Sequence, residues 1–519
     1  MVTRWPLSPD RTKTFGRFWQ VVYFCLLGAA FTSRMSHAAP PTVIYPEADL
    51  VALYNEAWQE AKARILDAPK GAPVKRYMDE NVYDDQIWIW DSCFMAQFTK
   101  YAAADYPGIE TLEALYAPVV EGKPSPLRIH IYDNPPLFAW CELLYWRFHG
   151  NRARLEDILL KRNLLQKHFE WFANPPTGTR PASSPNRIEL QAVTAGNGAK
   201  GFLWRGAQSG MDNTPRGRGC GGYRGILWID AISQQALNAR CIAELYRALG
   251  HEQEAQTWQA RFDALAKEIN TFYWDERDGF YYDIAFKDGQ PCRVKTIASF
   301  WPLLAGVVPP DRAERMIACF AKDQEFFGKF PFPTVARSDP DYDAATGNYW
   351  RGGIWLPTAY MTLQGLERTG ARRLADRAAM RLLRQMSETY KTVSPATIWE
   401  CYAPEANLPS TEHGRRVRSG FCGWSALGPV NLFLENILGF RSFDAVTHTI
   451  TWQPPEPEDV DHKIQFPMGI EHLTFGDTTV SLWSNDSTLR VETSRPITLI
   501  YRNRTFPFAP GKHVVSCGQ

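Results

Sequence analysis

The sequence has almost no excess of charge: 57 Lys and Arg face 56 Asp and Glu, a formal +1 over 519 residues. A protein that neutralises many phosphates needs a basic surplus, so no nucleic-acid partner is expected. No Cys-x-x-Cys pair occurs among the ten cysteines, which argues against a zinc ribbon and against a fully paired disulfide framework. No Gly-Lys-Ser/Thr follows the glycines of segment 208–218, so that loop does not read as a phosphate cradle. Beyond the N-terminal stretch, no run approaches the ~18 apolar residues of a membrane span. What remains is a globular composition, 45% hydrophobic and 22% charged, with aromatics on the high side at 13%. A large enzyme, or a binder of sugars or aromatic ligands, fits that balance.

The N-terminus reads as a targeting segment. Arg4, Arg11, Lys13 and Arg17 precede an apolar run from Phe18 to Phe31, and Ser36-His37-Ala38 has the small-x-small pattern of a signal-peptidase site. Residues 1–38 are therefore expected to be a secretory signal cut after Ala38, with an uncleaved anchor as the alternative. The mature chain would be periplasmic or secreted and free of the membrane, with 52 bases against 55 acids. Cys25 leaves with the signal. Nine cysteines remain, and the pairing of any one or two bridges among them stays open.

Apolar periodicity predicts a mainly α chain. Helix-length spans fall at 48–66, 91–104, 109–119, 136–149, 153–173, 228–249, 251–272, 296–305, 310–321, 353–369, 370–389 and 424–438. The span 251–272 places Ala255, Trp258, Phe262, Leu265, Ile269 and Phe272 in three- and four-residue steps, one buried face with no chemistry. Leu249-Gly250-His251 and Thr369-Gly370-Ala371 read as tight helical hairpins. After residue 440 the pattern changes to short β-branched runs, His448–Trp452, His472–Phe475, Thr478–Trp483, Thr488–Thr493 and Thr498–Arg502. The expected architecture is an (α/α)6 barrel over 39–440 followed by a small antiparallel β module over 441–519. In such a toroid the segments before every second helix emerge at one end and line one pocket.

Those segments are rich in Trp and single charges. Trp90 and Asp91 offer a sugar ring an aromatic face and a carboxylate, although Asp91 also suits a helix cap. Asn134-Pro135-Pro136 reads chiefly as a helix start. Asp212 lies in a loop of small residues, where an Asx turn is its structural alternative and a solvated surface is that of Arg216 and Arg218. Arg351 sits among Tyr349, Trp350 and Trp355, and its planar donors suit hydroxyls or a carboxylate. Glu400 follows Trp399 in an aromatic setting, and an ion pair is its ordinary use. Taken together, Asp212 and Glu400 on loops at one barrel end supply the two carboxyl groups that glycoside hydrolysis needs. Candidate sugar contacts are Trp90, Asp91, Trp204, Gln208, Arg216, Trp350, Arg351, Trp399, Tyr402 and Trp424. Asp275–Asp283 looks superficially like a calcium loop, but it lacks the ligand spacing and the terminal Glu, and reads as a turn.

Six segments occur in a family order: Trp88–Phe94, Asn134–Trp140, Gly210-Met211-Asp212-Asn213-Thr214-Pro215-Arg216, Tyr273–Asp283, Tyr349–Trp355, and Trp399–Tyr402 with Gly423-Trp424-Ser425. Over roughly residues 50–440 the chain resembles glycoside hydrolase family 63 and its trehalase-like relatives, including the mannosylglycerate hydrolase-like proteins. The resemblance implies an (α/α)6 barrel and an inverting glycosidase, most often acting on α-glucosidic bonds. It assigns the general acid to Asp212, the general base to Glu400, and the non-reducing sugar subsite to Trp90, Asp91, Trp350 and Arg351. Cys401 stands where relatives commonly carry Asn or Lys, and Cys422 interrupts the usual Phe-Gly-Trp-Ser. The loop Pro404–Arg418 matches no characterised substrate type.

The expected function is an exported inverting exo-α-glycosidase, an α-glucosidase acting on a short oligosaccharide or glycoside, needing no metal or organic cofactor. Two other classes stay open: a non-catalytic sugar-binding protein, and an (α/α)6 endo-glucanase or lyase with an open groove.

Overall fold

Helices form where the apolar spacing places them. The computed structural model describes residues 39–80, 83–129, 131–175, 188–456 and 465–517, all within one compact unit. The expected signal, residues 1–38, lies outside the described residues. Among the described residues, no helix is long and apolar enough to cross a membrane.

Every expected helical span is helical in whole or in part. The helices alternate between two kinds. Ile89–Thr99 is buried at every residue, and Leu356–Arg368 is buried over most of its length. A helix apolar on all sides has to sit inside. Glu252–Phe272 is amphipathic and packs on the mostly buried Ile229–Leu249, and the amphipathic Arg372–Thr392 packs on Leu356–Arg368. Two hairpins join such neighbours, Ile229–Leu249 with Glu252–Phe272 and Leu356–Arg368 with Arg372–Thr392. Each turns at a left-handed glycine, Gly250 at φ 84° and Gly370 at φ 85°. The first helix, Ala48–Lys62, packs against both Arg372–Thr392 and the last helical segment, Gly428–Ile437, so the two ends of the helical region meet.

The structure departs from the expected spans in three places. The span 153–173 is broken: a wide turn over Asp157–Lys161 is followed by Asn163 at φ 53°, and the helix restarts at Leu164. Asn tolerates that left-handed backbone, so it ends a helix without glycine. The last span is a tight turn at Trp424–Leu427 followed by a widened helix over Gly428–Ile437. The stripe on Glu252–Phe272 faces the core, but only Ala255, Trp258 and Ile269 are fully covered, and Phe262, Leu265 and Phe272 lie partly open at its edge.

The β region holds two sheets. One runs in the order Thr42–Ile44, Met468–Phe475, Thr478–Ser484, Thr488–Thr493, Gly511–Ser516; the other runs Phe440–Asp444, Thr449–Trp452, Ile497–Tyr501, Arg504–Phe508. The module is not purely antiparallel, because Thr449–Trp452 pairs parallel with Ile497–Tyr501. Nor is it built from the C-terminal part alone. Thr42–Ile44 pairs antiparallel with Met468–Phe475 and covers a sheet edge that would otherwise be unpaired. Phe148 packs on Phe443 and Phe475 and fastens the sheets to helix Phe138–His149. Trp274–Asp275 and Phe280–Tyr281 form a hairpin, in agreement with the reading of that stretch as a turn.

Candidate active site

The segments before the inner helices converge on one cavity of about 280 Å³, lined by Trp90, Asp91, Asn134, Gly210, Asp212, Tyr349, Trp350, Trp355, Glu400, Arg418 and Trp424, with Tyr83 and Trp88 also in its wall. Asp91 lies in the first turn of Ile89–Thr99, without serving as its N-cap. Asn134 accepts from the Trp90 N–H at 3.3 Å and donates to the Gln208 carbonyl at 3.1 Å, tying that helix start to the turn Gly206–Ser209. The turn ends at Gly210 with φ 79°, and a Cβ there would fall 2.9 Å from Trp90 Cδ2. Glycine is required on both counts. Asp212 follows two residues later.

The loop carrying Asp212 is bonded to the loop of Tyr349 and Trp350. Asn213 accepts from the Trp350 N–H at 2.8 Å and donates to the Asn348 carbonyl at 3.0 Å. Asn348 and Tyr349 have φ of 30° and 66°, consecutive left-handed residues of the strained kind that concentrate at functional sites. Trp350 stacks on Trp355 at 3.9 Å, and the indole of Trp355 donates to the Tyr349 carbonyl at 3.1 Å.

Glu400 is almost fully buried and held from several sides. Tyr349 Oη donates to its Oε1 at 3.0 Å. Arg418 Nη1 donates to Oε1 at 2.9 Å and Oε2 at 3.1 Å, and the Arg418 backbone N–H reaches Oε2 at 3.3 Å. Trp424 Nε1 and Ser425 Oγ donate to the Glu400 carbonyl at 3.3 and 3.1 Å, which is what the Gly-Trp-Ser motif does here.

Three carboxyl groups therefore share one cavity with one guanidinium. Burial pushes Glu400 up, and Arg418 and Tyr349 pull against it. Burial also raises Asp212, to about 6, with repulsion from Glu412 and Glu400 adding to it. Asp212 lines the cavity and is itself exposed to solvent. Asp91 is raised well above the usual carboxylate range by burial and by its two acidic neighbours. All three carboxyls are raised, and Glu400 is the one of the three that accepts hydrogen bonds directly from Arg418.

Of the residues chosen from the sequence, Trp90, Asp91, Asp212, Trp350, Glu400 and Trp424 line the cavity. Six others do not. Arg216 is fully buried between Asp230 and Asp283, with bonds of 2.5–2.8 Å to both, and stacks over Trp228 at 4.2 Å. Trp204 is buried and donates to the Asp133 carbonyl at 2.8 Å. The Gln208 side chain is buried and does not line the cavity. Arg351 turns outward to Asp341 at 3.0 Å. Trp399 and Tyr402 are buried, and the Tyr402 hydroxyl accepts from the Trp399 N–H at 3.3 Å. None of these six side chains lines the cavity. The sequence reading missed Tyr349, Arg418 and Asn134 as pocket residues. Tyr349 and Asn134 stood inside segments already singled out, whereas Arg418 closed a loop that carried no local signal.

Cys220 and Cys292 form a disulfide across 72 residues, fastening the loop after Arg216 to the strand Pro291–Cys292. Cys401 and Cys422 are buried thiols, and Cys422 donates to the Ala57 carbonyl. A larger groove of about 890 Å³ lies elsewhere, where Glu47 and Asp49 are ion-paired with Arg384 and Lys391. Phe330 is the one aromatic ring among the described residues that line it.

Comparison with known proteins places the chain in a family. An uncharacterized protein of Borreliella burgdorferi is 25% identical over 469 residues, 86% of this chain and 90% of its own. The probable mannosyl-oligosaccharide glucosidase of Schizosaccharomyces pombe is 24% identical over 294 residues, 53% of this chain and 34% of that protein, so the match spans about a third of that relative. The solved family 63 mannosylglycerate hydrolase of Thermus thermophilus superposes with a TM-score of 0.53 at 19% identity, covering 73% of this chain and 99% of that one, a likeness of fold. The family described as the mannosylglycerate hydrolase MGH1-like glycoside hydrolase domain matches residues 84–424. That match covers more than half of the chain and runs from the Trp88 segment to Trp424, so this protein belongs to glycoside hydrolase family 63, among its mannosylglycerate hydrolase-like members.

Proposed function

We propose that this protein is an exported, inverting, exo-acting α-glycosidase with α-glucosides as its substrates, built on an (α/α)6 barrel. The observation that carries the reading is the shared cavity in which Glu400 is bonded by Arg418 and Tyr349 while Asp212 is raised to about 6. Asp212 donates its proton to the glycosidic oxygen as the C–O bond breaks. Glu400 takes a proton from water, whose oxygen attacks the anomeric carbon from the opposite face and inverts it. Trp90, Trp350, Trp355 and Trp424 supply apolar faces for the sugar ring.

A cavity of about 280 Å³ suits one terminal sugar better than the interior of a long chain, and so supports exo action. The alternation of buried and amphipathic helices, with the first packed on the last, supports the barrel. Export draws support from the Cys220–Cys292 bridge, which belongs to an oxidising compartment. Relatives named for a glucosidase and a mannosylglycerate hydrolase support a glycosidic substrate.

Proton NMR of the purified protein with a panel of α-glucosides, α,α-trehalose and glycosyl-glycerates tests the reading. The first minutes should show β-sugar released from an α-linked substrate. Asp212→Asn and Glu400→Gln should each lose about 10²–10⁴ in rate. Initial α-sugar would rule out inversion, and binding without turnover across the panel would favour a sugar-binding role.

A further inference from the structure

Arg418 is the one guanidinium among the described residues that line the cavity, and no family motif singled it out. Its contacts with the two carboxyl groups are unequal. Nη1 lies within 3.1 Å of both oxygens of Glu400, and the Arg418 backbone N–H adds a third donor. The Glu400 N–H returns a bond to the Arg418 carbonyl at 3.0 Å, so the two residues clasp each other through both main chain and side chain. Asp212 receives only a longer-range attraction from the same charge.

We propose that Arg418 is a positioning residue that decides which of two neighbouring carboxyls carries the proton, holding Glu400 as the carboxylate base and leaving Asp212 as the protonated acid. The inference rests on the proposed glycosidase reading. The groups facing Glu400 are Asp91 from helix Ile89–Thr99, Asp212 from the loop after Gly206–Ser209, Tyr349 from its strained turn, and Cys401 and Arg418 from its own loop, with Glu412 acting on Asp212 and Tyr349 beside it. Two of these, Asp91 and Asp212, are acids lining the same cavity. Burial and like charge would together favour protonation of Glu400, the state in which it takes no proton from water. A donor bonded directly to its two oxygens offsets them at that carboxyl, because a charge-assisted hydrogen bond acts at contact while repulsion from Asp91 and Asp212 acts across the pocket. Tyr349 alone is a neutral donor and supplies no positive charge.

The arrangement separates Arg418 from a merely structural arginine such as Arg216. The Arg418 side chain is 40% exposed, and its Nη1 bonds both oxygens of one carboxylate. The main-chain bonds between residues 400 and 418 remain when the side chain is shortened, so the loop keeps its anchor.

The test is the pH profile of kcat/KM for Arg418→Met and Arg418→Lys beside the unaltered enzyme, with Asp212→Asn and Glu400→Gln as references. Loss of the charge should move the acid limb upward by about one pH unit, the low end of the effect of an opposite charge in contact, given the exposure of Arg418. Arg418→Lys should recover part of the shift while still losing rate, since an ammonium keeps the charge without the planar fork. The basic limb, which belongs to Asp212, should move less than the acid limb. Should Arg418→Met not fold, the Lys variant alone still reads a fractional upward shift. An acid limb that stays in place in both variants, whatever happens to kcat or to melting temperature, overturns the proposal. Retained turnover in both Asp212→Asn and Glu400→Gln would instead sink the glycosidase reading beneath it.

Discussion

The hydroxyl of Tyr349 donates to Glu400 Oε1 at 3.0 Å from a backbone held at φ 66°. The left-handed turn aims the ring at the carboxylate, and three contacts keep that turn in place. Trp350 offers its N–H to Asn213, Asn348 offers its carbonyl to Asn213, and Trp355 donates to the Tyr349 carbonyl.

Removing that hydroxyl isolates its contribution. Tyr349→Phe keeps the ring against Trp355 and withdraws one hydrogen bond to the ionised form of Glu400. A bond to a charged group contributes about 1.5–3 kcal/mol, so kcat/KM should fall by about 10- to 100-fold. The acid limb should rise, because a donor to the carboxylate holds its pKa down. An unaltered profile would show that the hydroxyl does not bear on the base.

Asp212 ties activity and stability to the same proton, and both should decline as pH rises through about 6. With Asp212 as the proposed general acid, kcat/KM should decline as pH rises through about 6. Its pKa is raised in the folded chain, so folding favours the protonated form. That contribution is complete below the ordinary value of 3.8 and is lost as pH climbs through about 6. Asp212→Asn should therefore raise the melting temperature at pH 7.5 and leave it nearly unchanged at pH 4, while turnover collapses at both. Equal melting shifts at the two pH values would contradict this account.

Arg216 should behave in the opposite way. Arg216→Met leaves Asp230 and Asp283 buried without their partner, a loss of about 3–5 kcal/mol. Denaturant titration should report that loss, and Arg216→Lys should recover little of it because an ammonium cannot reproduce two fork-like pairs. Protein that does fold should retain the pH profile of the parent, since Arg216 does not reach the cavity.

The Cys220–Cys292 bridge closes a long loop and tethers the segment that follows Arg216. Replacing both cysteines with serine should cost about 2–4 kcal/mol in chemical denaturation. The same loss should appear on treating the parent with reductant, and no change in either experiment would mean that the bridge does not constrain the unfolded chain.

Much of this molecule is legible in local pattern. Apolar residues at helical spacing announced Ile229–Leu249 and Arg372–Thr392, and glycines 250 and 370 announced their turns, because these signals act within a few residues. Asp91 and Glu400 stood out as charges beside tryptophans and Asp212 as a carboxylate among small residues, and all three line the cavity. The strand Thr42–Ile44 was not legible, since three residues carry too little pattern and their partner lies more than 400 positions away.

The arginines draw the line most sharply. Arg216 and Arg351 sit in conspicuous motifs, yet one is locked between Asp230 and Asp283 and the other faces Asp341. Arg418 ends an unremarkable loop and reaches Glu400 at 2.9 Å. Sequence by itself determined the helices, their turns and the inventory of acids and aromatic rings, because helix formation and turn geometry are local. Tertiary structure alone decided which guanidinium meets which carboxylate, because an ion pair acts over a few ångströms of space and is blind to distance along the chain.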